Sequence, residues 1–542
     1  MKFLGTPLLR KLSRNGGSRR YREVYVNIKP GIHTYSIEIE PDKRNTAKNA
    51  ILMPKYIGEV LPFRYVEVSQ SENLELLDIT RTTVTYPFND NASYFKSSDS
   101  ILNQVWDLSK YSIKATSFAG LYVDGDRERI PYEGDVYINQ LCHYAVDNEF
   151  SMARSTHEYL IDNATWPTEW ILQSVLIAKN DLLYTGDTRS AFHFYDDLKA
   201  KTLMELAGSN GLISTRTGKQ SKEFLNSINF KGKQLKDIVD WPHAGILGLE
   251  KDNSGETDGF VFNDYNAVVN AFYFKALNDM AAMAQSLSKT DDVAMFLRKA
   301  KNVKAAYNAT FFDKTTKVYK DGDQTDHSSL HANMFALAFD LVESEHVQNV
   351  VNFIKGRGMA CSVYGSQFLL DAVYKANEGD YGLSLLTSQN VRSWYNMIKK
   401  GSTITMEAWD DIYKPNQDWN HAWGATPANI IPRKLMGIEP LVPGWDYFQI
   451  KPQIGSLSYA TLTMPTIKGE VQVTYTQASD SFTMQFNIPT NTQADIYIPL
   501  KYLSGRKDIY LNGRKLRNKK DVYWHLIQKL GSGKYEVTVK GS

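Results

Sequence analysis

The first part of the chain shows a hydrophobic pattern with a period of two. Apolar and polar residues alternate in short runs between Val24 and Tyr86, and Pro30, Gly31 and Pro41 interrupt them. This pattern predicts short antiparallel strands. The strands are too few for a closed sandwich, so we expect a partial N-terminal β-sandwich and linker over residues 1–92. The predicted strands cover residues 24–28, 35–39, 63–68 and 79–86.

Near Ser97 the hydrophobic period changes to 3.6 and keeps that value until about Leu435. Ile138, Leu141 and Ala145, for example, fall on one face of a predicted helix. With the weaker segments included, the pattern predicts roughly twelve helices. Because no short repeat accompanies them, a single closed helical domain over residues 93–436 is favoured over a solenoid. The longer predicted helices cover residues 170–184, 191–207, 263–287, 293–310, 331–341, 347–355 and 365–376.

After Leu435 the period returns to two. Alternating apolar residues occur over 471–475, 482–488, 496–498 and 537–539, with turn signals such as Asn512-Gly513 between them. Strands separated in this way are typical of a β-sandwich. We therefore expect a C-terminal antiparallel β-sandwich over residues 437–542.

Composition and charge exclude several classes of protein. The 542 residues include 62 Lys and Arg against 60 Asp and Glu, a net charge of +2, which does not favour a nucleic-acid partner. No apolar run is long enough to predict a membrane span. Two cysteines form no zinc motif, and phosphate-binding loops and zinc-protease motifs are absent, so we expect no metal and no cofactor. The oligomeric state is not readable from the sequence.

A first acidic segment lies at residues 124–135, where five carboxylates alternate with Arg127 and Arg129. Pro131 and Gly134 break any helix there, so the segment is predicted to be a loop that leads into a helix at Val136. It has two explanations. It is a surface salt-bridge network with Asp135 as the helix N-cap, or it is a site in which crowding splits the carboxyl pKa values and keeps one acid protonated.

A second acidic cluster combines Glu407, Asp410, Asp411 and Asp418 with tryptophans. Four of the ten tryptophans fall between residues 394 and 423. Mixed indoles and carboxylates suit a polar-ligand pocket, because sugars stack their C–H faces on rings and bond acids through hydroxyls. The alternative is a set of ordinary core tryptophans beside a solvated acidic turn.

Further aromatic and acidic pairs occur on predicted loops between helices. They are Trp166 with Glu169 and Trp170, and Asp240 with Trp241. Taken with the two acidic clusters, they indicate one glycan-binding rim. The stretch 208–262 is too long for a plain connector, and we expect it to form a functional wall or lid.

Three of these segments, residues 124–135, 405–409 and 420–423, resemble the bacterial α-L-rhamnosidases of glycoside hydrolase family 78. Residues 63–68 and 435–440 resemble the borders of the catalytic domain in that family. The resemblance implies an (α/α)6 toroid as catalytic module, flanked by the two β-sandwiches. It also implies inverting hydrolysis of terminal α-L-rhamnosides, with a rhamnose-containing carbohydrate as substrate.

The resemblance assigns roles to individual residues. Glu128 matches the general acid of the family, seven residues before Asp135, and Glu407 matches the general base. With the aromatic and acidic pairs included, we expect the sugar to be bound by Asp124, Arg127, Tyr132, Asp135, Trp170, Asp240, Trp241, Trp409, His421 and Trp423. We expect Glu128 and Glu407 to face each other at roughly 6.5–9.5 Å.

The sequence departs from the family pattern near the acid. Asp124 lies closer to Glu128 than the first aspartate of the family does, Arg127 is adjacent instead of two places before, and Tyr132 replaces a common tryptophan. Two alternatives therefore stay open. One is another toroid exo-glycosidase, acting for example on α-fucosides or glucosides, and the other is a non-catalytic glycan-binding protein on the same scaffold.

The family is often exported, which implies a periplasmic or secreted protein. Residues 1–22 are basic but lack the apolar stretch of a signal peptide. They read either as a solvated lead-in or as the interior of a longer precursor.

Overall fold

The structure is a computed structural model, and it describes residues 2–4, 21–47, 49–63, 65–69, 73–243, 255–501, 503, 507–517 and 523–541. Helices occupy the middle of the chain and strands lie on either side. Most of the helices predicted from the hydrophobic period are confirmed. The helices of the described residues are α1 (Ser100–Thr116), α2 (Glu133–Val146), α3 (Ser151–Asp162), α4 (Thr168–Thr185), α5 (Arg189–His193), α6 (Tyr195–Ala200), α7 (Lys222–Ser227), α8 (Ala267–Ser286), α9 (Thr290–Phe311), α10 (Leu330–Ala338), α11 (Val347–Arg357), α12 (Gly365–Lys375), α13 (Gly379–Leu386), α14 (Trp394–Lys399) and α15 (Pro427–Ile430).

Deeply buried and half-buried helices alternate along the chain. Every residue of α2 is buried, and most residues of α4, α8, α10 and α12 are buried too. Between them, α3, α9, α11 and α13 bury one face only. A helix buried on all sides lies inside a domain, and an amphipathic helix covers it, so the helical body has an inner and an outer layer. No helix among the described residues has the length and apolarity to cross a bilayer.

Side-chain caps fix several helix starts. The Asp99 carboxylate accepts from the Leu102 N–H at 2.8 Å, and Asn266 does the same for Val269 at 2.8 Å. The helix predicted at 191–207 is broken instead, into α5 and α6. The chain then takes a left-handed conformation at Leu203 (φ 58°), which a continuous helix does not permit.

The C-terminal strands form two sheets. One has seven strands in the order β14-β13-β16-β11-β10-β9-β4, and the other has four in the order β15-β12-β8-β7. The expected antiparallel pairing is wrong for β12 and β8, which pair in parallel because no hairpin joins them in the chain. Inward and outward residues alternate along β11, as the period of two predicted. The strands are β4 (Tyr94–Ser97), β7 (Ile438–Pro440), β8 (Tyr447–Ile450), β9 (Tyr459–Met464), β10 (Val471–Gln477), β11 (Ser481–Ile488), β12 (Gln493–Pro499), β13 (Lys507–Leu511), β14 (Arg514–Lys515), β15 (Trp524–Leu530) and β16 (Gly533–Gly541). A separate hairpin in the helical body pairs β5 (Phe312–Asp313) with β6 (Val318–Tyr319).

Strand β4 ties the helical body to the larger sheet. It precedes α1 directly and pairs antiparallel with β9, with Tyr94 opposite Thr463 and Ser97 opposite Ala460. The start of the helical region is therefore hydrogen-bonded into the C-terminal sheet.

The N-terminal zone differs from the prediction. Its sheet has three short strands in the order β2-β1-β3, namely β1 (Lys2–Leu4), β2 (Tyr21–Glu23) and β3 (Tyr65–Glu67). The strands predicted at 24–28, 35–39 and 79–86 are wrong, since these residues have no strand and are mostly exposed. Alternation alone does not form a strand when no neighbouring strand pairs with its backbone groups. A second sheet layer is not seen in the described part of this zone.

Candidate active site

Residues 124–132 form a loop, here called the acid loop, that leads into α2. Its two ends are joined, because the Asp124 N–H donates to the Ile130 carbonyl at 2.9 Å and the Ile130 N–H donates to Asp124 Oδ1 at 2.9 Å. Asp124 is buried. Burial, followed by the charges of Asp418 and Glu128, raises the pKa of Asp124 well above its ordinary value. The Asp124 carboxyl therefore joins the two ends of the loop, and its surroundings favour the protonated, neutral form.

The helix after the loop begins earlier than predicted. It starts at Glu133 instead of Val136, and Asp135 lies in its first turn and not at the N-cap. A carboxylate in the first turn is stabilised by the helix dipole. His421 Nε2 lies 2.6 Å from Asp135 Oδ1, and both side chains are buried. Burial raises the pKa of Asp135, while His421 opposes the shift.

Two short segments of the second acidic cluster, residues 405–407 and 418–421, run alongside each other. The Glu407 N–H donates to the Asp418 carbonyl at 2.9 Å, and the His421 N–H donates to the Thr405 carbonyl at 2.9 Å. The Trp423 indole N–H donates to the Glu407 carbonyl at 3.0 Å. The backbone of Glu407 is thus fixed from both sides.

The carboxylate of Glu407 is buried among positive groups. Lys414 Nζ lies 2.9 Å from one oxygen and 3.0 Å from the other, and Arg127 Nη1 lies 3.3 Å from Oε2. The Asp418 N–H donates to Oε2 at 2.9 Å. Burial favours the protonated acid, but Lys414 and Arg127, with help from His421 and the Asp418 N–H, outweigh it and lower the pKa of Glu407. Glu407 is therefore ionised at neutral pH.

Arg127 bridges the two glutamates. Its Nε donates to Glu128 Oε1 at 3.2 Å, and its Nη1 contacts Glu407 Oε2 and donates to the Asn416 carbonyl at 2.9 Å. One guanidinium therefore contacts both carboxylates. The side chain of Glu128 is 39% exposed and that of Glu407 is 4% exposed.

Aromatic rings form a wall beside these acids. Trp170 makes edge contacts with Tyr132 at 5.5 Å, with Tyr364 at 6.1 Å and with Trp423 at 6.4 Å between ring centroids. His421 stacks on Trp423 at 4.5 Å. The wall therefore joins the start of α2, the start of α4 and the segment after Glu407.

Two residues expected to bind sugar are fully covered. The carboxylate of Asp240 accepts from the Trp241 and Ser362 N–H groups at 2.8 and 2.9 Å and lies 2.7 Å from His331 Nε2. The Trp409 indole N–H donates to the Cys361 carbonyl at 2.7 Å. Neither side chain has exposed surface.

Trp241 is partly buried and packs against Trp166, with ring centroids 6.3 Å apart. It lies on the stretch 208–262, of which residues 244–254 fall outside the described part of the chain. The expectation that this stretch forms a wall or lid stays a prediction.

Lys414 and Tyr364 contact site residues but were not predicted from the sequence. A buried lysine seven residues after a glutamate has no motif, although a lone cation in an acid-rich segment is a signal in retrospect. Tyr364 carries no acidic neighbour in sequence. Both take their place from contacts between distant segments.

The side chains of Glu407, Asp418 and His421 have ligand atoms within 4.8 Å of one another, as in a metal site. Lys414 and Arg127 already lie against Glu407, so a metal ion there would meet two positive charges. These two positive side chains already neutralise the Glu407 carboxylate, so the arrangement does not favour a metal ion.

Comparison with protein families gives two matches. Residues 90–435 match the bacterial alpha-L-rhamnosidase 6 hairpin glycosidase domain, and residues 437–508 match the bacterial alpha-L-rhamnosidase C-terminal domain. An alpha-L-rhamnosidase of Formosa agariphila is 25% identical over 485 residues, which cover 82% of this chain and 48% of that protein. One from an Alteromonas species is 26% identical over 300 residues, covering 51% of this chain and 31% of that protein.

Solved structures show the same fold. The alpha-L-rhamnosidase from Dictyoglumus thermophilum superposes with a TM-score of 0.67 at 17% identity, over 84% of this chain and 51% of that one. The Streptomyces avermitilis alpha-L-rhamnosidase complexed with L-rhamnose gives 0.64 at 18% identity, over 84% and 42%. The chain spans about half, or less, of the length of these relatives. Because the first domain match alone covers more than half of its residues, the chain belongs to the bacterial alpha-L-rhamnosidase family.

Proposed function

We propose that the protein releases terminal α-L-rhamnose from glycans or glycosides by hydrolysis with inversion at the anomeric carbon. One observation carries the proposal. A buried glutamate with a lowered pKa, Glu407, and a half-exposed glutamate, Glu128, are bridged by one guanidinium, in the segments that match the family acid and base. An inverting glycosidase needs this pair of an ionised base and a proton donor.

In the proposed reaction, Glu407 removes a proton from a water that attacks the anomeric carbon. Glu128 gives its proton to the glycosidic oxygen as the bond to the aglycone breaks. Proton exchange with solvent then restores both carboxyls. Arg127 contacts Glu128 through Oε1, so the proton given to the glycosidic oxygen is assigned to Oε2.

The sugar ring is proposed to lie against the aromatic wall. Trp170, Tyr132 and Trp423 supply ring faces and edges for its C–H groups, and Asp135 and His421 supply polar contacts for its hydroxyls. Asp240 and Trp409 shape the site from behind, because neither has exposed surface and their polar atoms bond to the protein. Asp124 acts through the shape of the acid loop, whose two ends it joins. Trp241 is proposed to belong to the outer rim.

The finer fold assignment is also a proposal. We infer that residues 93–436 form an (α/α)6 toroid and residues 437–542 a β-sandwich, next to a partial sandwich over residues 1–92. The alternation of deeply buried and half-buried helices supports an inner and an outer ring. The seven-stranded and four-stranded sheets supply the two layers of the C-terminal sandwich.

A panel of 4-nitrophenyl glycosides tests the function. We expect the wild-type protein to cleave the α-L-rhamnoside and to spare the α-L-fucoside and α-D-glucoside. Glu128→Gln and Glu407→Gln should each lower kcat by about 10²–10⁴-fold, the range of general acid–base catalysis. Glu205→Gln is the matched control, because Glu205 is an exposed glutamate of the same helical region.

Proton NMR of the first sugar released tests the stereochemistry, and β-L-rhamnose is expected from an α-linked substrate. Release of α-L-rhamnose would contradict inversion while leaving the substrate assignment in place. Cleavage of the fucoside or glucoside instead would identify another exo-glycosidase. Binding of α-rhamnosides without turnover would identify a binding protein.

A further inference from the structure

The N-terminal zone reaches the acid loop and bonds to it directly. Asn45 is fully buried, and its side-chain amide donates to the Asp126 carbonyl at 2.7 Å and to Asp126 Oδ1 at 3.2 Å. The Ile51 N–H donates to the Arg129 carbonyl at 2.9 Å. Asp126 and Arg129 flank Glu128 closely in the chain. These contacts join residues that lie some 80 positions apart in sequence, so they are tertiary and not local.

Arg129 makes further contacts with the N-terminal zone through its side chain. It follows Glu128 directly and has a left-handed backbone (φ 57°), which is unfavourable for a residue with a side chain. Its guanidinium is fully buried, with an ion pair to Glu59 at 2.7 Å and another to Asp126 at 2.8 Å, and it donates to the Val60 carbonyl. The surroundings of Arg129 therefore hold a backbone conformation that the residue alone does not prefer.

The same guanidinium lies over the ring of Phe118, with Cζ 5.4 Å from the ring centroid. Phe118 belongs to the turn after α1, in the helical body. Arg129 is thus clamped between the helical body on one side and Glu59 and Val60 on the other. Removal of the N-terminal contacts would leave the buried guanidinium with Asp126 as its remaining ion-pair partner among the described residues.

We propose that residues 42–60, here called the N-terminal strap, position the general acid Glu128, with Glu59 and Asn45 as the positioning residues. This inference rests on the proposed function. The strap lies outside both matched family domains, the first of which begins at residue 90 and the second at residue 437. It acts through the backbone of the acid loop and touches no reacting atom.

The position of Glu128 depends on contacts on both sides of it. Arg127, before it, is held by Glu407 and by the Asn416 carbonyl, and Arg129, after it, is held by the strap. If the contacts between the strap and Arg129 are lost, the Glu128 carboxyl can shift while Arg127 stays in place. Since a displacement of about 1 Å can cost a catalytic group roughly 10²-fold in rate, modest loosening is measurable.

The leaving group of the substrate separates acid positioning from other effects. A poor leaving group, as in methyl α-L-rhamnoside, needs protonation by Glu128, whereas 2,4-dinitrophenolate departs largely without it. The first variant is Glu59→Gln, which removes the negative charge that pairs with Arg129. The second is Asn45→Ala, which removes both amide contacts to Asp126. Glu75→Gln is the matched control, because Glu75 is an exposed glutamate of the same zone.

We expect both strap variants to lose at least about tenfold more kcat/KM on the methyl glycoside than on the dinitrophenyl glycoside, a part of the roughly 10²–10⁴-fold that acid catalysis supplies. The loss should lie mainly in kcat. Glu75→Gln should match the wild type on both substrates. The ratio of the two rates does not depend on the folded fraction, since both rates scale with it.

Equal losses on the two substrates, or no loss on either, would overturn the role of the strap. If Glu59→Gln yields too little folded protein, Asn45→Ala alone decides the question. Failure of the proposed function looks different, because the wild-type protein itself would then cleave neither rhamnoside.

Discussion

At the scale of single residues, the charge of Glu407 is the most consequential feature. Its carboxylate is buried, and burial alone would favour the neutral acid. Lys414 contacts both of its oxygens, and its own side chain is only 2% exposed. Among the groups that keep the proposed base ionised, the buried lysine has the largest effect.

Replacement of Lys414 should move the acidic limb of the pH profile. Loss of the cation raises the pKa of Glu407, so the fall of kcat/KM at low pH should begin about one or more units higher in Lys414→Met, as expected for loss of a close opposite charge. Lys414→Arg keeps the charge and should restore much of the shift. An unchanged acidic limb in Lys414→Met would show that Glu407 is not the group that titrates there.

Gly134 shows how closely the aromatic wall packs on α2. A Cβ atom at this position would lie 2.6 Å from one atom of the Trp170 indole and 2.7 Å from its Nε1. Gly134→Ala should therefore displace the ring and destabilise the fold by about 1–3 kcal/mol, as overpacking does. Gly356→Ala in α11 is the control, since nothing lies within 4 Å of its Cβ position. Thermal unfolding and tryptophan fluorescence of the two variants measure the difference.

At the scale of elements, the long helices were predictable and the N-terminal strands were not. Helices such as α9 and α11 carry a sustained apolar period, and this local signal survives in the fold. Strands need partners that are remote in sequence. The runs at 24–28 and 79–86 alternate equally well but belong to no sheet of the described residues.

The residues of the candidate site likewise divide into those that the sequence predicts and those that it does not. Glu128, Glu407, Asp135 and His421 stand in dense local clusters, so the sequence alone singled them out. Lys414 stood in no motif, and the burial of Asp240 depends on Ser362 and His331, about a hundred residues away. Spacing along the chain carries no information about such contacts.

The clamp on the acid loop predicts a stability effect. Arg129→Met removes the cation between Glu59 and Asp126, and breaking a buried pair in this way costs about 3–5 kcal/mol. We expect a clear fall in Tm by calorimetry. Arg189→Met is the comparison, because Arg189 pairs with Asp187 at the surface, where its side chain is 86% exposed, and its Tm should stay close to that of the wild type. Equal falls in the two variants would contradict the clamp.

At the scale of the whole molecule, the sheets and the helical body share one core. The Tyr475 hydroxyl donates to the Met436 carbonyl at 2.7 Å, and the Gln453 amide donates to the Tyr374 carbonyl at 2.8 Å. Trp445 is buried against Tyr184, with ring centroids 5.6 Å apart. The C-terminal sheets are therefore part of the support for the helices.

Removal of residues 437–542 should accordingly abolish soluble expression. It would expose apolar surface around Tyr184 and leave β4 without β9. Light scattering and size-exclusion chromatography of a chain that ends at Met436 would show aggregation. A monodisperse, active fragment would contradict the shared core.

The contacts of Asn45 and Glu59 with the acid loop also bear on how members of this family are cloned. A gene fragment cut at the border of the matched domain, at residue 90, keeps both proposed catalytic glutamates and every helix of the described residues. It loses the groups that hold Asp126 and Arg129. Such a fragment would look complete by alignment and still misplace its proposed proton donor, so domain borders drawn from sequence families are unsafe guides to where this protein can be trimmed.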